Sequence, residues 1–189
     1  MTTIVVVKKN GFAAIAADTL TRYGNTNESA KYVANSEKIL KYNGSFLAMT
    51  GWGATQLAVE HFLKTTKEKL SFDNIEGIFL SGLLIHNVLK NDYFLRPDGD
   101  DEPFETSRLD MLIANPIGIF SLTEHRYVQE FTKFYAYGSG YEYALGAMFA
   151  TYDDKSKSAK DIARIGINAG AEFNDGTALP MHCHTVKLK

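Results

Sequence analysis

The sequence predicts a layered α+β protein in which antiparallel sheets and helices are segregated, and three observations carry that reading. Asn10-Gly11 and Asn43-Gly44 each separate two short apolar runs, the signature of a tight β-hairpin. Apolar residues then recur at spacings of three and four in two long stretches, as amphipathic helices require. The resulting order is strands, two helices, strands, two helices, strand. It lacks the regular βαβ alternation that builds a parallel sheet. No repeat of solenoid period and no low-complexity linker interrupts the chain, so its 189 residues read as one domain over 1–189.

Residues 3–8 and 12–18 are β-branched or small and apolar, and they pair across Asn10-Gly11. A polar segment over 19–35 follows, then strands over 38–42 and 46–50 around Asn43-Gly44. Leu57, His61, Phe62 and Leu63 mark one helix, and Ile75, Ile78, Phe79, Leu83, Ile85 and Leu89 a second, with Ser71-Phe72-Asp73 offering a cap between them. Two prolines and five acidic residues make 94–105 an exposed loop. Strands over 109–114 and 117–123 flank Asn115-Pro116, and another covers 134–137. A helix over about 141–152 precedes one that starts near Ser158, whose spacing to Asp161 fits a capping box, and runs to about Phe173. The chain closes in a strand over 181–188.

Composition bounds the function. The hydrophobic fraction of 45% and charged fraction of 22% are those of a globular protein with a sizeable core. A net charge of −2, with only short lysine clusters at Lys8-Lys9 and Lys187-Lys189, argues against nucleic acid as a partner. No segment reaches the roughly 18 apolar residues of a membrane span, and no signal-peptide pattern opens the chain. One cysteine, Cys183, offers neither a disulfide nor a metal-ligand set, which fits a reducing cytoplasm. The five histidines are scattered. His182 and His184 share one face of the last strand without identifiable partners for zinc.

The chemistry centres on Thr2. Initiator methionine is removed when the next side chain is small, and loss of Met1 places a free α-amine beside the Thr2 β-hydroxyl. Such an amine titrates near 7.7–8, so one residue holds both a nucleophile and a base that works at neutral pH. Taken alone, Thr2 is the first residue of a strand, Asp18 a strand-end residue and Lys38 a solvated charge. The accompanying pattern distinguishes them.

That pattern runs Thr2-Thr3-Ile4-Val5, Lys8-Lys9-Asn10-Gly11, Ile15-Ala16-Ala17-Asp18, Gly24-Asn25 and Ser36-Glu37-Lys38-Ile39. It continues with Tyr137-Gly138-Ser139-Gly140 before a helix and Ser158-Ala159-Lys160-Asp161-Ile162-Ala163 before the last one. In order and spacing it resembles the proteasome β subunits and the bacterial heat-shock-locus V peptidase. The opening Met-Thr-Thr, read without a propeptide, points within that family to the beta-proteobacterial proteasome homologues. The resemblance implies the N-terminal-nucleophile hydrolase fold, a four-layer αββα sandwich of two antiparallel sheets between helix layers. It implies Thr2 as nucleophile, Asp18 as the acid that orients a lysine, Lys38 as that lysine in preference to Lys31, and Ser139 as the serine that helps hold the amine. A charged lysine near the amine depresses the amine pKa and stabilises the alkoxide.

Two positions depart from the family pattern. The glycine whose amide polarises the scissile carbonyl falls on Met49, with Gly51 and Gly53 nearby, so a shifted or impaired oxyanion hole is expected. The acid and serine after the last helix have no match at the same spacing, which leaves Asn174 or Asp175 with Thr177 as the auxiliary residues. In relatives this turn can bind a structural monovalent cation, and no other cofactor is expected. Leu20, Lys31, Met49 and Trp52 are read as shaping the pocket for the residue before the cut.

The resemblance implies a threonine endopeptidase that works in stacked rings of identical subunits on unfolded polypeptides, supplied by an ATP-dependent unfoldase or another regulator. Two rivals stand beside it. One is a ring-forming scaffold with little or no activity, favoured if Met1 is retained and blocks the amine. The other is an amidase acting on small molecules.

Overall fold

The computed structural model describes residues 2–97 and 103–189. Strand β1 (Thr3–Lys9) turns into β2 (Phe12–Asp18) through Asn10 and Gly11, whose φ angles of 51° and 75° are the left-handed pair of a type I′ turn. The two-residue loop fixes the register, so Lys9 pairs with Phe12 and Ile4 with Ala17. Asn43 and Gly44 repeat the device between β5 (Ile39–Tyr42) and β6 (Ser45–Gly51).

Two antiparallel sheets result. The first has the order β10-β1-β2-β11, with β10 at Phe134–Gly138 and β11 at Met181–Lys187. The second runs β5-β6-β7-β8-β9, with β7 at Leu109–Ala114, β8 at Ile119–Leu122 and β9 at Val128–Phe131. Helices α1 (Gly53–Thr65) and α2 (Ile75–Asn91) cover the five-stranded sheet, and α3 (Tyr141–Thr151) and α4 (Ala159–Phe173) cover the other.

Strand periodicity of two explains the layers, because both faces of each sheet are buried. Val5, Val7, Ala14 and Ala16 face α3 and α4, where Met148, Ile162 and Ile167 meet them. Their neighbours Ile4, Val6, Ala13 and Ile15 face the other sheet and pack on Ala48, Leu112, Ala114 and Ile119. On the far side Leu47, Met49, Met111 and Ile113 face α1 and α2. Three apolar interlayers therefore separate four layers, αββα.

Most expected elements form, with informative shifts. The expected strand start at residue 117 moves to Ile119, because Pro116 lacks an N–H and the Asn115 side chain accepts the N–H groups of Ile117 and Gly118. The cap of α2 is Asn74, not the Ser71-Phe72-Asp73 segment; its Oδ1 accepts the Gly77 N–H at 2.9 Å, while Ser71 bonds Ser81. The polar segment over 19–35 hides a small ribbon, β3 (Thr21–Tyr23) and β4 (Thr26–Glu28), and β9 also lacks an apolar signature because its sheet-edge position leaves its residues only partly covered. Of the apolar residues that mark these helices, Phe62, Leu63, Ile78, Ile85 and Leu89 are buried, joined in the core by Ala58 and Val59, whereas Leu57, Ile75, Phe79 and Leu83 are substantially exposed. Of the expected loop over 94–105, residues 98–102 lie outside the described residues. The Ser158 capping box forms as expected: its Oγ accepts the Asp161 N–H, and the Asp161 carboxylate accepts the Ser158 N–H at 2.9 Å.

Ile15 is fully buried between the sheets. Ile15→Ala is expected to lower the unfolding free energy by about 3 kcal/mol. Urea unfolding followed by circular dichroism at fixed protein concentration checks it, and a loss below about 1 kcal/mol contradicts the packed inter-sheet layer.

Candidate active site

Thr2 stands at the head of β1, where its strand emerges between the two sheets, and is 4% exposed. Its backbone is fixed from the neighbouring strand: the Thr2 carbonyl accepts the Ser139 N–H at 2.7 Å, extending the β1–β10 ladder by one rung. Gly138 makes this approach possible. Its φ is +97°, and a Cβ there would sit 2.0 Å from the Thr2 carbonyl oxygen.

Asp18 closes β2 beside it, fully buried and accepting four donors. Its Oδ1 takes the Thr3 N–H at 2.9 Å and the Lys38 ammonium at 2.9 Å; its Oδ2 takes the Leu20 N–H at 2.9 Å and the Ala178 N–H at 3.3 Å. Lys38, immediately before β5 and only 6% exposed, also donates to the Leu20 carbonyl at 2.7 Å. Burial pushes the Lys38 pKa below its usual value, while the Asp18 charge and hydrogen bond pull it back up. Lys31, the competing lysine, is exposed.

A second, uncharged network holds the other side. Ser139 Oγ donates to Asn174 Oδ1 at 2.8 Å, and the same oxygen accepts the Gly176 N–H and the Thr177 hydroxyl. The Thr177 hydroxyl meets the Thr3 hydroxyl at 2.6 Å, so the residue after Thr2 is anchored through both its amide and its side chain. Asn174 and Thr177 thus join the site. Asp175 does not: its carboxylate is 82% exposed and pairs with Arg22 at 3.2 Å, because the tight Asn174–Thr177 turn points it outward.

Thr2 and Lys38 open on a cavity of about 660 Å³, lined also by Leu20, Gly51, Trp52 and Gly138 among others. Met49 is not among the lining residues, which corrects its expected place in the oxyanion hole. Its N–H is spent on the Lys38 carbonyl at 3.2 Å and its side chain is buried against the helices, as strand alternation dictates two residues after Leu47. Gly51 and Gly53 line the cavity instead, and Gly51 has φ +133° with the Arg108 carbonyl 2.5 Å from where a Cβ would lie. Leu20 and Trp52 take the expected places in the lining, whereas Lys31 and Met49 do not.

The structure also brings forward residues that sequence reasoning passed over. Thr3, the Leu20 main chain and Arg22 all take part, and only Thr3 carried a signal, as a polar residue in an apolar strand. His182 and His184 lie apart from the cleft chemistry: His182 meets Glu37 at 2.8 Å and His184 stacks on Phe46. Among the described residues no group of His, Cys, Asp or Glu is placed to hold a metal ion. No described helix is long and apolar enough to cross a membrane.

Two antiparallel sheets face to face between helix layers, with a threonine at the head of a central strand opening on a cleft, define the N-terminal-nucleophile hydrolase fold. Comparison with known proteins narrows this further. No family model matches the chain. The structure superposes on BPH of Thiobacillus denitrificans with a TM-score of 0.95 and 45% identity, covering 99% of this chain and 98% of that one. It superposes on the same protein in complex with epoxomicin with a TM-score of 0.93, covering 99% of both chains. HslV from Trypanosoma brucei shares the fold at a TM-score of 0.68 and 16% identity. A proteasome subunit beta of Nanoarchaeum equitans is 28% identical over 164 residues, 81% of this chain and 75% of that protein. The chain belongs to the proteasome β-subunit and heat-shock-locus V peptidase family, a family of self-compartmentalising proteases.

Lys38→Met strands the buried Asp18 charge and is expected to lower stability by about 3 kcal/mol. Because the folded Lys38 pKa lies below its ordinary 10.5, the unfolded chain keeps this proton to higher pH. The stability linked to this group is complete above about 10.5 and is lost as pH falls through the lowered value. Unfolding of wild type and Lys38→Met across the alkaline range should show wild type gaining on the variant as pH rises.

Proposed function

We propose that this chain is a threonine endopeptidase, with Thr2 as nucleophile and its α-amine as base once Met1 is removed. The observation that carries the reading is the buried Asp18–Lys38 pair, 2.9 Å apart, whose lysine lines one open cleft with Thr2 while the carboxylate holds it from behind. In this reading the amine takes the hydroxyl proton as Thr2 Oγ attacks the scissile carbonyl carbon. The Lys38 charge stabilises the alkoxide and keeps the amine neutral. The tetrahedral intermediate's oxygen is held by main-chain N–H from the Gly51–Gly53 segment in place of Met49. The C–N bond then breaks, the amine returns its proton to the leaving nitrogen, and water hydrolyses the acyl ester.

Ser139, Asn174 and Thr177 act as positioning residues. Asn174 takes the Ser139 hydrogen, which leaves the Ser139 lone pairs to accept from the Thr2 amine. A neutral amide in this place holds the serine without adding a charge of its own. The protein acts in the cytoplasm, in stacked rings of identical subunits, on unfolded polypeptides delivered by an ATP-dependent unfoldase or another regulator. Stacked rings exclude folded proteins by access, which a nucleophile with no built-in selectivity requires.

Peptide hydrolysis tests the reading. Thr2→Ala is expected to lower kcat at least about 10³-fold, and Asp18→Asn and Lys38→Ala about 10²-fold or more. The rate should fall as pH drops through the amine pKa, near or below about 7.7. Epoxomicin, which forms a complex with the Thiobacillus denitrificans protein, should bind wild type and fail to bind Thr2→Ala. Equal hydrolysis by wild type and Thr2→Ala sinks the assignment.

A further inference from the structure

Beside the cleft runs a second, mostly apolar groove of about 560 Å³, floored by Ala58, Leu89, Tyr93 and Leu95. Two helix ends form its rim, and both carry aromatic residues unsuited to their positions. Trp52 is the N-cap of α1, where a short polar side chain normally accepts an N–H; the indole makes no cap bond and is 68% exposed. At the end of α2, Asp92 N–H bonds the Val88 carbonyl and Leu95 N–H reaches back to the Leu89 carbonyl, with Phe94 between them at φ +57°. That left-handed position is usually glycine, since a Cβ is crowded there. Yet it holds a phenylalanine whose surface is 87% exposed. Both rings thus leave most of their surface uncovered among the described residues.

Trp52 and Arg108 line both this groove and the Thr2 cleft, so the two adjoin. We propose that the groove is an accessory substrate subsite, in which Trp52 and Phe94 grip a bulky apolar side chain of the extended polypeptide whose scissile bond lies at Thr2. The inference rests on the peptidase reading. It names the occupant by chemistry: an unfolded chain displays the apolar side chains that folding hides, and rigid aromatic rings at a rim bind such groups with little entropy loss. The groove thereby selects substrates by a residue away from the cut, and the two poorly capped helix ends are retained for it.

Trp52 is the only tryptophan in the chain, so its emission reports directly on the groove. The test uses full-length Thr2→Ala protein, so that binding is read without turnover. It is titrated with end-labelled peptides about ten residues long, roughly 33 Å when extended, that carry either phenylalanine or serine at positions away from the cut and are identical beside it. The expected result is a saturable blue shift of Trp52 emission, with Kd about tenfold tighter for the phenylalanine peptide, or about 1.4 kcal/mol. Phe94→Gly should bring that ratio close to one while Tm stays level or rises by about 2 °C. The proposal is overturned by absence of binding, by binding in label anisotropy without an emission change, or by an unchanged ratio in Phe94→Gly. A fall in Tm in that variant overturns it by making the ring structural. Emission already blue-shifted in the ligand-free protein overturns it by placing a neighbouring copy on the groove. Failure of wild type to hydrolyse any peptide counts against the peptidase reading, which this binding measurement does not use.

Discussion

The Asp18 carboxylate is the contact on which the site depends. It is fully buried, ends one strand of the central hairpin, and accepts donors from four different segments: the start of β1, the chain leaving β2, the approach to β5 and the turn before β11. A buried carboxylate without such partners would lose several kcal/mol to desolvation, so the four donors are a condition for its being charged there. Their convergence places Thr3, Lys38 and the Leu20 main chain in one small volume. Thr2, one residue before Thr3, inherits its position from that convergence.

The two sides of Thr2 are built from different materials. Lys38 and Asp18 supply an ion pair in low dielectric, where its field is little screened. Ser139, Asn174, Thr177 and Thr3 form a chain of neutral hydroxyl and amide groups, which hold geometry without adding charge. The close approach at Gly138 locks the β1 and β10 backbones together between them. The αββα sandwich makes this arrangement stiff, because β1 is central in its sheet and apolar on both faces.

Much of this was legible in the residues, for physical reasons. Asn-Gly turns require φ values that few other pairs tolerate, so both hairpins and their registers were readable. The Ser158 capping box was readable because its two hydrogen bonds are local in sequence. What escaped was nonlocal or ambiguous. The short β3–β4 ribbon has no apolar run, and the exposed apolar residues of α2 made its buried face hard to tell from its outer one. At the site, Asp18, Lys38 and Ser139 followed from the resemblance to a family and are brought together by the fold. Met49 was misplaced because alternation along β6 turns it to the helices, while Gly51 and Gly53 reach the cleft. Asn174 and Asp175 were indistinguishable by spacing, and only the turn geometry sends one inward and the other to solvent.

The proposed chemistry begins at the chain's own amino terminus, so the state of that terminus decides it. Intact-mass measurement of the purified, assembled protein, paired with hydrolysis of a peptide by the same sample, is the most direct test. The expected mass is short by one methionine, with Thr2 leading and the sample active. A sample that cleaves peptides while every chain retains Met1 would contradict it, because the amine would then be locked in a peptide bond and some other group would have to serve as base.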